Sequence, residues 1–489
     1  MCHKLGNLYD KKFFGGTSMR SAILFLGTSL VGAQYICAAI EPLGFRPIFL
    51  LKIDEYLGTP RHAIEACEHY EADVNSSQDI FRAIKEHDLM KDVVAVTSLL
   101  DEVLPNACAV ATQYKIIGPD PKLAYLTDKA RVQKIIPEFS PPSFSFNLTE
   151  LTNEQLKQFL QRCFDFQEFI LKPGVSSGAV GMSILKRTLS ADDIRQQIHD
   201  SKIEGAETTQ NWMLQPRITG RLHSLEGYVK DGRAFFFGFS RRARKALTES
   251  ITEFPVDKAL PIDIQRRCQE AIEALVKRSG YMNGYFHCEF IITPESAYLI
   301  DGNMGRIAGA AIVQQIALVF GKTPPEIYRH VFDLGLFRGV HTSDFIYQKV
   351  NDEPTLSINY CLEQDSVVLD VIPPADMVCF HMQVADNGKA IQAIGKSDTA
   401  WVGLLAGTRA NVLAEIERFV INTNHGSVRP FYILTEETPL KESFLNIACN
   451  DLYTGPAQTI AQQSDTQRGN EVTTSTASAT NISEQQLRP

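Results

Sequence analysis

The chain of 489 residues has ten cysteines but no CxxC pair and no Cys/His spacing of a metal-binding loop, which excludes the common zinc modules. Spread singly from Cys2 to Cys449, the thiols have the pattern of a reduced, cytoplasmic protein, and no disulfide is expected. No apolar run approaches the ~20 residues that span a bilayer, so no membrane partner is expected. The first twenty residues include Lys4, Asp10, Lys11, Lys12 and Arg20 and hold no unbroken apolar stretch of a secretion signal. An excess of basic charge is missing too. Lys and Arg number 48 against 57 Asp and Glu, giving a net charge of -9 and a pI near 5.7, which argues against a nucleic-acid partner. Residues 27–32 lack both the GxGxxG and the GK[ST] spacing, so a dinucleotide fingerprint or P-loop is disfavoured and a tight turn is the plainer reading. There is no internal repeat.

What is present is a globular composition, 44% hydrophobic and 21% charged, with length for about two to four domains. Residues 1–18 read as a flexible extension, with Met19 an alternative start. A buried strand at 21–26, a helix at 30–42 and a strand at 46–51 form a βαβ opening. A helix at 80–87, a strand at 93–97 and a helix at 102–114 continue it, so 19–120 is expected to be a small Rossmann-like open parallel sheet, whose ligands sit beyond the carboxyl ends of its strands. From 120 the character changes. Thr127-Asp128-Lys129 caps a short helix, and Pro137, Pro141 and Pro142 mark a linker. Strands at 168–172, 181–186 and 212–218 follow, with Ser190 and Asp193 starting a helix between the last two. A hairpin at 224–240 turns at Asp231-Gly232, its Phe235-Phe236-Phe237 run reading as buried core, and a helix at 264–278 ends at Gly280. Short strands return in 355–435, and beyond 454 the Gln-, Ser- and Thr-rich composition cannot order itself.

Two segments carry chemistry. Residues 285–293 and 297–303 read as a hairpin turning at Pro294-Glu295-Ser296, which places Glu289 opposite Asp301 with Asn303 on the same face. Like charges facing each other destabilise a sheet, whereas three hard oxygen donors suit Mg²⁺ completed by water and phosphate oxygens. Spacing alone leaves a half-exposed hairpin with incidental acids equally open. The second segment, Lys172-Pro-Gly-Val-Ser176-Ser177-Gly178-Ala-Val-Gly181, sets a lysine at a strand end before a loop of glycines and hydroxyls. Amides of such a loop wrap phosphate oxygens while the ammonium balances their charge. A plain Gly/Ser hairpin turn is the alternative.

Together these residues resemble the ATP-grasp carboxylate-amine ligases, a family that includes D-alanine ligases, biotin carboxylases and L-amino-acid ligases; the likeness covers roughly residues 21–334. The resemblance implies that Lys129, after Asp128, and Lys172 hold the ATP phosphates, and that Glu289, Asp301 twelve residues on and Asn303 two further bind Mg²⁺, with Mn²⁺ the alternative metal. It makes Arg306 the catalytic arginine beside the reacting carboxyl group, with Lys172 as its catalytic partner. The ATP-binding set it implies is Lys129, Lys172, Ser176, Ser177, Gly178, Gln215, Arg217 and Ile218, the last two meeting the adenine through backbone groups. Three departures stand out: Asp301 replaces the usual Glu, Arg306 falls three rather than two residues after Asn303, and Leu222 stands where an acid is common.

The expected fold is α/β and α+β: an ATP-grasp domain at 121–340, the Rossmann-like sheet before it, a small β-rich region at 341–454 and a disordered tail at 455–489. The expected function is an ATP- and Mg²⁺-dependent ligase that activates a carboxylate, of an amino acid or small peptide, as an acyl phosphate and couples it to an amine, with a homodimer as its form. A nucleotide-binding regulator without turnover and an ATP-dependent carboxylase using bicarbonate are the alternatives. Residues 174–181 and an irregular stretch at 241–261 are the lid candidates. Within the latter, the cluster around Arg244 reads as solvated charge, as capture of a substrate anion or, against the acidic total, as nucleic-acid contact. Glu226 is a candidate for the substrate amine or a solvent-facing strand acid. His287 is a donor to a metal-binding carboxylate or a packed strand histidine.

Overall fold

The structure, a computed structural model, describes residues 21–175, 181–201 and 211–435. Four parallel strands open it, β1 (Ala22–Leu26), β2 (Arg46–Leu51), β3 (Glu68–Glu71) and β4 (Val93–Thr97), in the order β3-β2-β1-β4. All five residues of β1 are buried, as a central parallel strand covered on both faces requires. The expected βαβ opening is present: Ser29 caps the helix Leu30–Ile40 by accepting the Gly32 amide. The edge strand β3, with the sequence Glu-His-Tyr-Glu, has no buried residue and no apolar alternation to announce it.

A small antiparallel sheet follows, built from β5 (Phe144–Phe146), β6 (Glu168–Pro173), β7 (Ser183–Lys186) and β8 (Trp212–Pro216) in the order β5-β8-β6-β7. Its two helices, Asn153–Arg162 and Ala191–Asp200, each start with a reciprocal capping box, Thr152 with Gln155 and Ser190 with Asp193. They bury Phe159, Ile194 and Ile198 against Phe169, Trp212 and Leu214 of the sheet.

The largest sheet has eight antiparallel strands. Five are β9 (Arg221–Lys230), β10 (Arg233–Lys245), β11 (Thr248–Phe254), β12 (Gly284–Ile292) and β13 (Ala297–Met304). The C-terminal region adds β14 (Thr355–Tyr360), β15 (Ser366–Ile372), β16 (Phe380–Gln383), β17 (Ala390–Ile391), β18 (Gly403–Thr408), β19 (Val420–Thr423) and β20 (Gly426–Val428). The large sheet runs β13-β12-β9-β10-β11-β14-β18-β16, and the remaining strands form a separate sheet β17-β15-β19-β20. The helix Ile262–Ser279 packs on one face, burying Cys268, Ile272 and Leu275 against Leu225, Phe239 and Phe286. The helices Ile312–Phe320 and Pro324–Phe337 share a core with the N-terminal sheet, in which Phe332 meets Phe25 edge to face at 5.2 Å. Among the described residues no helix is long and apolar enough to cross a membrane.

Two expectations are corrected here. Residues 241–254 are not irregular: β10 runs on to Lys245 and β11 pairs with both β10 and β14 in the middle of the sheet. The strand is polar in sequence because its acids are paired inside the sheet, Glu253 with Arg241 and Arg409 and Glu249 with Arg242, so hydrophobic patterning does not reveal it. The Phe235-Phe236-Phe237 run is only partly core. A bulge interrupts the β9–β10 register between Phe236 and Gly238, Phe237 is buried, and Phe235 is 38% exposed, stacked on Tyr228.

Candidate active site

The hairpin β12–β13 sets the site. Glu289 faces Asp301 and His287 faces Asn303, as the sequence implies. Beyond Glu289 the register shifts, so that Phe290 faces Leu299 and Ile300 is left over. This β-bulge frees the Ile300 carbonyl from the ladder, and Lys172 Nζ, reaching across from β6, donates to it at 2.9 Å.

Lys129 reaches the neighbouring residue, Asp301. Asp128 caps the helix Lys129–Ile135 by accepting the amides of Ala130 and Arg131, while the Lys129 amide donates to Gly174 O at 2.9 Å. Gly174 is itself pinned to Asn211 O at 2.7 Å. A Cβ there would come within 3.0 Å of that oxygen and 3.3 Å of Asp128 Oδ1, so the close approach of strand end and helix start needs glycine. Lys129 Nζ ends 3.1 Å from Asp301 Oδ2. Two lysines thus converge on the bulged segment. Burial, with a further push from Lys129 partly opposed by Asp301, lowers the Lys172 ammonium to about 8.

Glu289 is held from a different direction. Arg242 Nη1 lies 2.7 Å from Glu289 Oε1 and 2.7 Å from Glu249 Oε2, and Arg242 Nη2 lies 3.0 Å from His287 Nε2. The His287 ring lies between two carboxylates, its Nδ1 2.7 Å from Glu226 Oε1 and its Nε2 3.4 Å from Glu289 Oε1, and although burial opposes its charge, Glu226 raises its pKa. Burial works against the Glu289 charge, but Arg242, His287 and Arg244 together hold it well below the usual carboxylate range. Glu226 is therefore not a solvent-facing acid: it is 1% exposed and accepts from Ser224 Oγ at 2.7 Å. His287 is the link between Glu226 and the Glu289 carboxylate. Arg244 lies one turn of the pleat beyond Arg242, with its Nε buried and without a hydrogen-bond partner.

Arg306 is reached from the N-terminal sheet. Its Nε contacts Asp101 Oδ2, just beyond β4, and although burial opposes the guanidinium charge, Asp101 more than offsets it and raises its pKa. The second Asp101 oxygen is buried without a partner. Asp101 went unread in the sequence, although its place after a parallel strand end is where ligands of such sheets bind.

At the connection between lobes, Gln215 is buried with its Nε2 on Gln133 Oε1 at 2.7 Å. Arg217 departs from its expected role in part: its amide donates to Glu168 O at 2.9 Å and its guanidinium pairs with the Glu168 carboxylate, because β6 continues the ladder past Pro216. Its amide is thus unavailable to a base edge, and its carbonyl is the group that remains. Ile218 joins Tyr298, Phe166 and Ile291 in a small apolar cluster, a surface suited to an aromatic ring. Ser176, Ser177 and Gly178 lie outside the described residues. On the opposite face of the large sheet, a cavity of about 670 Å³ is bordered by Arg221, His223, Arg241, Glu253 and Ile264, away from both lysines.

The residues fit a polyphosphate with a divalent cation. Lys129 pairs with Asp301 and Lys172 only with the neighbouring Ile300 carbonyl, and burial, with Lys129 adding to it, disfavours the Lys172 charge, which an anion relieves. For a metal, no group of three or more His, Cys, Asp or Glu side chains is placed to hold an ion among the described residues. The donor set is two carboxylates and an amide, the incomplete kind that ligand phosphates complete.

Residues 166–314 match the ATP-grasp domain family. Solved structures share its fold at low identity. Phosphoribosylglycinamide synthetase from Anaerococcus prevotii superposes with a TM-score of 0.58 at 14% identity, covering 82% of this chain and 99% of its own. L-amino acid ligase from Bacillus licheniformis gives 0.60 at 12%, covering 80% and 93%. The biotin carboxylase domain of Hydrogenobacter thermophilus 2-oxoglutarate carboxylase, solved with MgADP and bicarbonate, gives 0.60 at 13%, covering 83% and 91%. No curated protein matches the sequence.

Proposed function

We propose that the protein is an ATP- and Mg²⁺-dependent ligase that converts a carboxylate, of an amino acid or small peptide, to an acyl phosphate and joins it to an amine. The observation that carries this reading is the convergence of Lys172 and Lys129 on the Ile300–Asp301 bulge, 2.9 and 3.1 Å from its oxygens. Bound Mg²⁺ supplies Lewis-acid neutralisation of the phosphate oxygens, held by Glu289, Asp301 and Asn303. Lys129 and Lys172 exchange their protein oxygens for those of the β- and γ-phosphates, so that a substrate carboxylate approaches the γ-phosphorus against less repulsion. The Ile218 cluster receives the adenine, and the Arg217 carbonyl accepts from its amino group. Arg306, kept charged and oriented by Asp101, steadies the oxyanion that forms when the amine attacks the acyl carbon. Arg244, with an unsatisfied Nε, serves a substrate anion.

The test is ATP with Mg²⁺ and a panel of amino acids and dipeptides, with phosphate release as readout. The expected result is release that needs both a carboxylate and an amine. Release that needs bicarbonate alone would instead indicate a carboxylase, the reading favoured by the biotin carboxylase domain among the similar structures. ATP binding without any release would indicate a regulator.

A further inference from the structure

Eight cysteines lie among the described residues, and six of them, Cys108, Cys163, Cys268, Cys288, Cys361 and Cys379, are buried. The other two, Cys37 and Cys67, are partly exposed, and their sulfurs stand 2.6 Å apart. The sequence separates them by thirty residues, with none of the short spacing that marks a dithiol, so the reading of uniformly isolated thiols misses the pair. Cys37 occupies the last turn of the helix Leu30–Ile40. Cys67 sits in the turn between the helix Gly58–Glu65 and β3, its amide tied to Ile64 O at 2.9 Å and its carbonyl to His69 Nδ1 at 3.0 Å. The Cys37 backbone is thus held in a helix and the Cys67 backbone by the hydrogen bonds of its turn, and the two side chains meet on one face of the N-terminal sheet.

We propose that Cys37 and Cys67 form an oxidative modification site that takes a two-electron oxidant of the hydroperoxide class and closes to an intramolecular disulfide. The sulfurs need to approach by only about half an ångström to reach the ~2.05 Å of the bond. The Cys67 thiolate attacks a peroxide oxygen, the O–O bond breaks, and the departing oxygen leaves as hydroxide, giving a sulfenic acid. The Cys37 sulfur then attacks that sulfur and water departs with the Cys37 proton. Two thiols and one hydrogen peroxide therefore yield one disulfide and two waters. The order of attack follows from the shared hydrogen bond: a proton donated by Cys37 favours the Cys67 thiolate. The buried thiols make poor competitors, since burial pushes Cys108 up to about 11 and Cys268 and Cys361 up to about 12. The product ties the helix Leu30–Ile40, which also receives Gln314 Nε2 at Tyr35 Oη at 3.2 Å, to the start of β3. It is a site independent of the ATP chemistry above.

The test uses the full chain, reduced, freed of reductant, exposed to a few equivalents of hydrogen peroxide, alkylated before unfolding and mapped by mass spectrometry. The expected result is a peptide pair joined through Cys37 and Cys67, lighter by two hydrogens than the sum of the reduced peptides, with the six buried thiols still alkylated once the protein is unfolded. Unfolding of the oxidised protein should move up by a few degrees, because the crosslink restricts the unfolded chain, and the shift should be absent in Cys37→Ser and Cys67→Ser. Full alkylation of Cys37 and Cys67 after peroxide, or their recovery in disulfides to Cys2, Cys449 or another chain, would overturn the proposal. The peptide map of the unmutated protein decides this even where a serine variant folds poorly.

Discussion

Lys172 Nζ donates to the carbonyl of Ile300 at 2.9 Å, and it does so because a β-bulge leaves that carbonyl outside the hairpin ladder. The bond joins the small sheet to the large one at the point where two lysines and the facing acids meet. In the absence of nucleotide it gives the ammonium a partner that a phosphate oxygen can replace.

Removing that ammonium should weaken nucleotide binding. Lys172→Met is expected to raise the Kd of a fluorescent ATP analogue about 10- to 100-fold, the range of one hydrogen bond to a charged group. Arg131→Ala, at an exposed helix position nearby, should leave the Kd within twofold. Titration of the analogue by fluorescence measures both, and an unchanged Kd for Lys172→Met would count against the placement of the phosphates.

The same lysine predicts a proton linkage. With its pKa lowered to about 8 by burial, and further by Lys129, Lys172 is largely neutral at pH 9 in the free protein. A bound polyanion favours the charged form, so ATP should bind with uptake of a proton at pH 9 and with little uptake at pH 6.5, and the affinity should fall as pH rises above 8. Calorimetry in two buffers of different ionisation enthalpy reads the uptake directly.

Arg306 depends on Asp101 for a buried counter-charge. Asp101→Asn should cost about 3 kcal/mol of stability, as breaking one side of a buried pair does, and should lower substrate-dependent phosphate release while leaving the ATP Kd within a few-fold. Urea unfolding and the binding titration together separate this from a general loss of fold.

Acid should destabilise the protein through three buried histidines. Burial lowers His223, His330 and His381 to about 4 each, against ~6.5 in an unfolded chain. Between those values the unfolded state binds more protons, so stability falls as pH drops from 6.5 toward 4. Urea midpoints taken from pH 7 to 4.5 should decline steadily, and a flat profile would contradict the burial of these rings.

Much of this was legible in the sequence, for definite reasons. The alternation in 285–303 fixed which residues of the acidic hairpin face each other, because a two-residue period leaves few registers. Asp128 and Ser190 read as helix caps from side-chain chemistry alone. The bulge at Ile300 leaves no trace in residue type, so the partner of Lys172 was not foreseeable. Nor was the strand β11, whose Glu249 and Glu253 look like loop acids until Arg242, Arg241 and Arg409 are seen around them. The Asp101–Arg306 pair spans 205 residues and the Cys37–Cys67 pair thirty, and no local pattern reports contacts made across a sheet or between domains.

The most direct test of the ATP·metal reading is a crystal structure grown with Mn²⁺ and a non-hydrolysable ATP analogue, with the anomalous signal of the metal recorded. The expected result is a Mn²⁺ peak within about 2.3 Å of oxygens from Glu289, Asp301 and Asn303, with Lys129 and Lys172 turned onto the phosphates. A nucleotide bound elsewhere, or Glu289 still paired only with Arg242 and no metal peak beside it, would contradict the account.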